Sequence, residues 1–282
     1  MPVVPGAFKT YTNKKMPTTQ ANKLCYLEET EWELTYKTCG SSMQSPVDIN
    51  FMQTSFMSFE DLYFLGYGVD YPFVVENGGH AVYITPLGAH LETYGGPLTV
   101  RHNMSKGIFR FGNGTGAGSE HRIDGKAFDA EKRKFANQYL ESFVRATALL
   151  SHRGNSSTLS TPLSFFLPNS TAKYYLYLGS LTFPPCTAGV TVIVFSQPVD
   201  IGEGQLQALR RNLYHYEGSC KHTVAGNLRP VKKLETQVYR SFKFTGVTGA
   251  SGRLVHSVSC TTVLAMALYT GSSARFSPNL GA

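Results

Sequence analysis

The apolar residues of this 282-residue chain fall in short stretches broken by Gly, Pro, Asn and Ser rather than in long periodic runs. A strand needs only a few apolar positions between turns, whereas a helix needs a sustained 3.6-residue period, so the pattern predicts a sheet-dominated fold. One segment departs from it. From Gln138 to His152, positions Tyr139, Leu140, Phe143, Val144, Thr147 and Leu150 recur at helical spacing, which predicts a helix there. The sequence shows no repeat at a fixed period and no long low-complexity tract. Near the far end, Leu254 to Tyr269 is apolar apart from His256 and several Ser and Thr residues. That stretch is shorter than the about 20 residues a bilayer span needs, so a buried strand or docking segment is expected and a membrane span is not.

Composition adds limits. With 42% hydrophobic and 12% aromatic residues the chain can bury a full core, and its length suits one large domain or two small ones. The net charge of +7 reflects a shortage of acids, and the basic residues stand singly or in pairs such as Lys14-Lys15, Arg210-Arg211 and Lys232-Lys233. Nucleic-acid domains gather their charge on one face, so a solvated basic surface is expected and a nucleic-acid partner is not. Five cysteines are too few for a disulfide scaffold, and without a CxxC pair they do not suggest a structural zinc cluster. The first residues lack the apolar core of a secretory signal, so the chain as it stands reads as intracellular, with a secretory location as the alternative if its start lies upstream. Four Asn-x-Ser/Thr sequons, at Asn103, Asn113, Asn155 and Asn169, add little in a chain this rich in Ser and Thr.

Trp32, Tyr36 and Cys39 lead into Gln44-Ser45-Pro46-Val47-Asp48-Ile49, followed by Asn77-Gly78-Gly79-His80, Gly95-Gly96-Pro97-Leu98 and Gly118-Ser119-Glu120-His121. Further on come Gly179-Ser180-Leu181-Thr182-Phe183-Pro184-Pro185-Cys186, Val190 to Val194, Gln205 to Leu213, Asn227-Leu228-Arg229-Pro230 and Val238 to Phe242. In order and spacing these motifs resemble those of the α-carbonic anhydrases over residues 25–244. An N-terminal arm (1–24) and a C-terminal extension (245–282) have no counterpart in that family. The resemblance implies an α/β, mainly β domain: a large, twisted, mostly antiparallel sheet with short surface helices and a conical site ending at zinc. In active members three neutral histidines hold the metal and leave a fourth position for water, whose pKa falls to about 7.

Here the family's His-Phe-His-Trp-Gly is replaced by Ile108-Phe109-Arg110-Phe111-Gly112, and its third ligand position by Arg133. Isoleucine has no donor atom and a guanidinium stays protonated, so none of the three can ligate zinc and no cofactor is expected. The resemblance makes Thr182 and Glu120 the relics of the pair that orients the zinc-bound hydroxide, and His80 that of the proton shuttle. Glu131 matches the carboxylate behind the third ligand. Two buried arginines need acids, so Arg110 or Arg133 is expected to bond Glu120 or Glu131 as a salt-bridged plug. Val192 stands where the family has a tryptophan and Phe183 where it has a small polar residue. Between Asn137 and Leu167 the chain is shorter than the family, which suggests that a central strand is deleted and the helix kept. Cys39 and Cys186 match a disulfide of secreted and membrane-bound members, which would imply an oxidising compartment.

The expected function is that of a catalytically inactive carbonic anhydrase-related protein, a structural or protein-interaction subunit with an unknown protein partner, possibly within a larger assembly. The alternative is a small-anion binder or altered enzyme that uses Arg110 and Arg133 in the former zinc site.

Overall fold

The structure, a computed structural model, describes residues 32–88, 91–112, 119–127, 137–217 and 220–243. The arm 1–24, the extension 245–282 with its 254–269 stretch, Asn113, Glu131 and Arg133 lie outside the described residues.

Alternation makes the strands. Along Asp70–Asn77 the side chains of Phe73, Val75 and Asn77 are buried while their neighbours face outward, and Val82 and Ile84 repeat this along Val82–Pro86. The described residues form strands β1 (Asp48–Ile49), β2 (Ser55–Phe56), β3 (Leu62–Leu65), β4 (Asp70–Asn77), β5 (Val82–Pro86), β6 (Glu92–Gly95), β7 (Leu98–Asn103) and β8 (Gly107–Phe109). They continue with β9 (Arg122–Ile123), β10 (Lys126–Ala127), β11 (Ser156–Pro162), β12 (Tyr174–Ser180), β13 (Ala188–Phe195), β14 (Tyr214–Glu217), β15 (Cys220–Thr223) and β16 (Tyr239–Arg240). Two four-stranded sheets, β11-β4-β5-β8 and β13-β12-β16-β2, carry most of the core, beside smaller sheets β3-β6-β7 and β1-β9-β10 and the β14-β15 hairpin. Pairing is antiparallel except at β1-β9 and β16-β2. The mainly β, mostly antiparallel fold is the expected one. Its hydrogen-bonded ladder is divided among the described residues, with β8 and β13 as outer strands of the two larger sheets.

The main core lies between β4-β5-β8 and the helices. Phe109 of β8 meets Phe143 and Phe166 with ring centroids 4.4 and 5.0 Å away, and the latter two are 5.4 Å apart. Phe143 belongs to α2 (Glu141–Thr147), which follows α1 (Trp32–Thr35) and precedes α3 (Glu203–Asn212). The helix predicted over Gln138–His152 is shorter in the structure: a 3₁₀ turn at Gln138–Leu140 leads into α2, which ends at Thr147 with Phe143, Val144 and Thr147 buried, while Leu140 and Leu150 are buried in the turns on either side. Tyr139 departs from that face: it sits in the 3₁₀ turn, 52% exposed, against Phe165. Periodicity did not reveal β11, a Ser/Thr-rich strand that pairs with β4 from Ser156↔Glu76 to Pro162↔Asp70.

Gln205, buried in the first turn of α3, fixes both helices. Its Oε1 accepts from the backbone N–H of Gly202 and Asn137, and its Nε2 donates to the Asn137 carbonyl and Glu141 Oε2, at 2.9–3.0 Å. On the other side of the molecule β12 is buried on both faces, and Tyr175 and Tyr177 join Val47, Ile49, Val194 and Val238 in a second core. Gly179 is required where β12 bulges: a Cβ there would stand 2.3 Å from Ser45 Oγ and 2.6 Å from the Tyr177 ring. Its absence lets Ser45 and Ser180 exchange hydrogen bonds, each hydroxyl accepting the other's backbone N–H at 2.9 and 3.0 Å.

Candidate functional site

Side chains alternate along a strand, so Phe109 entering the core sends Ile108 and Arg110 to the opposite face. Ile108 lies opposite Tyr83 of β5 and is buried, as is Phe109. Arg110 follows directly. Its Nη1 donates to Glu120 Oε1 at 2.7 Å and to the Asn227 carbonyl at 3.0 Å, and its guanidinium carbon lies 5.8 Å from the centre of the Phe183 ring. The ion pair is nearly dry, with side-chain exposures of 11% for Arg110 and 6% for Glu120.

Glu120 is the hub. Oε1 also accepts the Arg229 backbone N–H at 3.1 Å, while Oε2 accepts the Thr182 hydroxyl at 2.8 Å. Each of these bonds brings a donor to the carboxylate, which offsets the cost of burying it. The Arg110 guanidinium has less complete pairing, because its Nε is buried without a hydrogen-bond partner among the described residues. Nearby, burial raises the Tyr83 phenol above its ordinary range and Arg110 pulls it back part of the way.

Among the expected site residues, the structure therefore brings Ile108, Arg110, Glu120, Thr182 and Phe183 together, with Val192 on β13 next to the second core. Arg110 and Glu120 form the expected ion pair, whereas Arg133 and Glu131 lie outside the described residues. His80 is exposed, and its carbonyl accepts from Asn227 Nδ2 at 2.8 Å. Cys39 and Cys186 are joined in a disulfide with a Cα–Cα separation of 4.9 Å, packed under Trp32. Asn227 and Arg229 were not expected at the site. Asn227 Oδ1 accepts the Phe111 N–H at 2.9 Å, so one amide links the strand carrying Arg110 to the His80 turn. The guanidinium of Arg229, 2% exposed, donates to Gln44 Oε1, the Ser45 carbonyl and the Cys39 carbonyl. Both lie in the Asn227-Leu228-Arg229-Pro230 motif, the signal that could have found them.

Behind the hub, His121 Nε2 shares a 2.7 Å hydrogen bond with the Tyr177 hydroxyl, which shares another of 2.7 Å with Ser45 Oγ. His121 is fully enclosed, and burial lowers its imidazole pKa from 6.5 to about 4. Between these values the unfolded chain binds a proton that the folded one refuses. Stability therefore rises with pH across this window: acidification from 6.5 to 4 removes about 3 kcal/mol, and the group contributes little further change above about pH 7.5. Urea unfolding of the parent and of His121→Gln at pH 7, 6, 5 and 4 checks this. The stability gap between the two should shrink as pH falls, and parallel curves would rule the histidine out as the source.

The profile described as eukaryotic-type carbonic anhydrase matches residues 27–136 and 131–242. Carbonic anhydrase 12 of Homo sapiens is 28% identical over 79% of this chain and 73% of its own length. Carbonic anhydrase 4 of Mus musculus is 30% identical over 72% of this chain and 76% of its own. Receptor-type tyrosine-protein phosphatase zeta of Homo sapiens is 32% identical over 64% of this chain, a match that takes up 9% of that protein.

Proposed function

Because the chain belongs to the eukaryotic-type carbonic anhydrase family, we propose that it is a member without zinc chemistry that serves as a structural or protein-interaction subunit. The observation that carries this reading is the 2.7 Å bond from Arg110 to Glu120. By resemblance, Arg110 stands at a zinc-ligand position and Glu120 is the acid that holds Thr182 ready to orient the metal-bound hydroxide. A permanent cation bonded to that acid takes the place of the divalent ion electrostatically and engages the carboxylate the chemistry would use. Ile108 offers the first position no lone pair, and Arg133 offers the third a guanidinium. These residues do not fit zinc. The likeness to part of a receptor named as a phosphatase supports use of this fold outside carbon dioxide hydration.

Purified protein is expected to contain no stoichiometric zinc and to leave carbon dioxide hydration at the buffer rate. Elemental analysis and stopped-flow hydration assays decide it: one zinc per chain, with activity that a chelator removes, would overturn the proposal. A second reading is favoured by the Nε of Arg110, a charged donor buried without a hydrogen-bond partner among the described residues, which a small carboxylate, phosphate or sulfate would satisfy; by resemblance Arg133 stands at another of the former ligand positions. Isothermal calorimetry with those three anions separates the readings, because the interaction subunit gives no heat and the anion binder saturates at one site.

A further inference from the structure

Among the eight asparagines in the described residues, those buried or bonded deep in the fold and those in sequons form separate sets. Asn77 and Asn227 are buried, and their Nδ2 atoms donate to backbone carbonyls. Asn137 uses its Nδ2 on the Asp200 carbonyl. None of these three begins an Asn-x-Ser/Thr triplet. The triplets that do lie in described residues, Asn103-Met104-Ser105, Asn155-Ser156-Ser157 and Asn169-Ser170-Thr171, all present an exposed asparagine. Asn103 ends β7, Asn155 closes the turn before β11 and Asn169 sits in the turn before β12. At Asn155 the side-chain oxygen accepts the His152 N–H at 2.9 Å, which leaves the amide nitrogen directed away from that bond.

A sequon by itself is a frequent accident, and the disulfide between Cys39 and Cys186 is the independent observation. Disulfides belong to oxidising compartments, and the secretory route is where asparagine amides are glycosylated. We propose that the chain carries N-linked glycans at Asn103, Asn155 and Asn169, and that the glycan on Asn103 covers the outer face of β3-β6-β7. In the transfer, Nδ2 bonds to C1 of an oligosaccharide carried on a lipid diphosphate. The bond from C1 to the diphosphate oxygen breaks, the lipid diphosphate leaves with the electron pair, and the amide gives up one proton.

Asn103 is singled out by what surrounds it. The inner face of β3-β6-β7 buries Leu62, Thr93 and His102, so Tyr63, Leu65, Glu92, Tyr94, Arg101 and Asn103 share the outer one. On that face Tyr63 stacks on Tyr94 with centroids 5.1 Å apart, and Arg101 lies 4.3 Å over Tyr94 while bonding Glu92 at 2.8 Å. Tyr63 and Leu65 are 47% and 50% exposed, an apolar patch beside a short outer strand. Asn103 pairs with Glu92, and Glu92 with Leu65, so the patch begins two strands away at about 5 Å per strand. The first sugars of a glycan reach that far, and the C–H faces of a sugar ring pack on aromatic side chains. A glycan at an outer strand also obstructs edge-to-edge pairing with a second sheet.

The test uses protein taken from its native source. Its peptides are treated with peptide-N-glycosidase in heavy-oxygen water, which converts a glycosylated Asn into isotopically tagged Asp. Tagged Asp is expected at 103, 155 and 169. Unmodified Asn at one position removes that site, and at all three it overturns the proposal. For the cover over β3-β6-β7, Ser105→Ala removes the acceptor triplet and keeps Asn103 itself. The variant should lose one glycan and bind more of a fluorescent hydrophobic probe than the parent, and probe binding equal to the parent's would overturn the covering role.

Discussion

Glu120→Gln is expected to lower the unfolding free energy by about 3 to 5 kcal/mol, the effect of stranding a buried charge. The amide fits the space and can still accept from Arg110 and the Arg229 N–H through one atom, so shape and hydrogen-bond count change little. The charge does change. Arg110, 11% exposed, would keep its cation with the Asn227 carbonyl, the new amide oxygen and the Phe183 ring, but no opposite charge among the described residues, to compensate it. At 2 to 4 °C per kcal/mol for a domain of this size, the melting temperature should drop by roughly 10 °C. Arg110→Met with Glu120→Gln removes both charges and should melt above Glu120→Gln alone, because the coupling between neighbours in one network is not additive. Thermal unfolding of the three variants beside the parent measures it. A Glu120→Gln protein that melts with the parent would mean that solvent, rather than the carboxylate, stabilises Arg110.

The disulfide carries the second large effect. Cys39 and Cys186 are 147 residues apart, and in the chain-entropy account closing a loop of that length destabilises the unfolded chain by about 5 kcal/mol. Reduction releases more than the loop. The Cys186 carbonyl accepts from Gln44 Nε2 and the Cys39 carbonyl from Arg229 Nη2, while the Thr38 hydroxyl donates to the Pro185 carbonyl, so the bridge also secures the entry to the hub. Cys39→Ser with Cys186→Ser should shift the urea midpoint down by the equivalent of most of that energy, and intact mass with and without reductant should differ by at least the two hydrogens of this bridge. Unfolding curves that coincide with and without reductant would show the constraint to be energetically idle.

How much of this was legible in the chain depended on whether a residue acts by its type or by its backbone. Phe143, Val144 and Thr147 announced α2 because burial along a helix imposes a period that the letters retain. Glu120 and Thr182 were legible through their motifs, and the need for an acid beside Arg110 followed from the penalty on a buried guanidinium. Asn227 was not foreseen because its bond to Arg110, one of three it makes here, is through a carbonyl that any residue possesses. Strand β11 escaped for a related reason. Its sequence, Ser156-Ser157-Thr158-Leu159-Ser160-Thr161-Pro162, lies at the outer position of its sheet, where backbone pairing with β4 holds the strand and little apolar alternation is demanded.

The stitching of early to late sequence has a consequence during synthesis. Gln44 and Ser45 receive Arg229 from 184 to 185 residues away, Met43 donates its N–H to Glu235, and β2 pairs with β16. At 5 to 20 residues per second a ribosome takes about 10 to 40 s to deliver those partners. Through that interval the Val47–Ile49 segment, apolar and intended for the second core, has no lid. Contacts between distant parts of the chain dominate the fold, so folding is slow by topology and this part of the structure cannot close before β16 emerges.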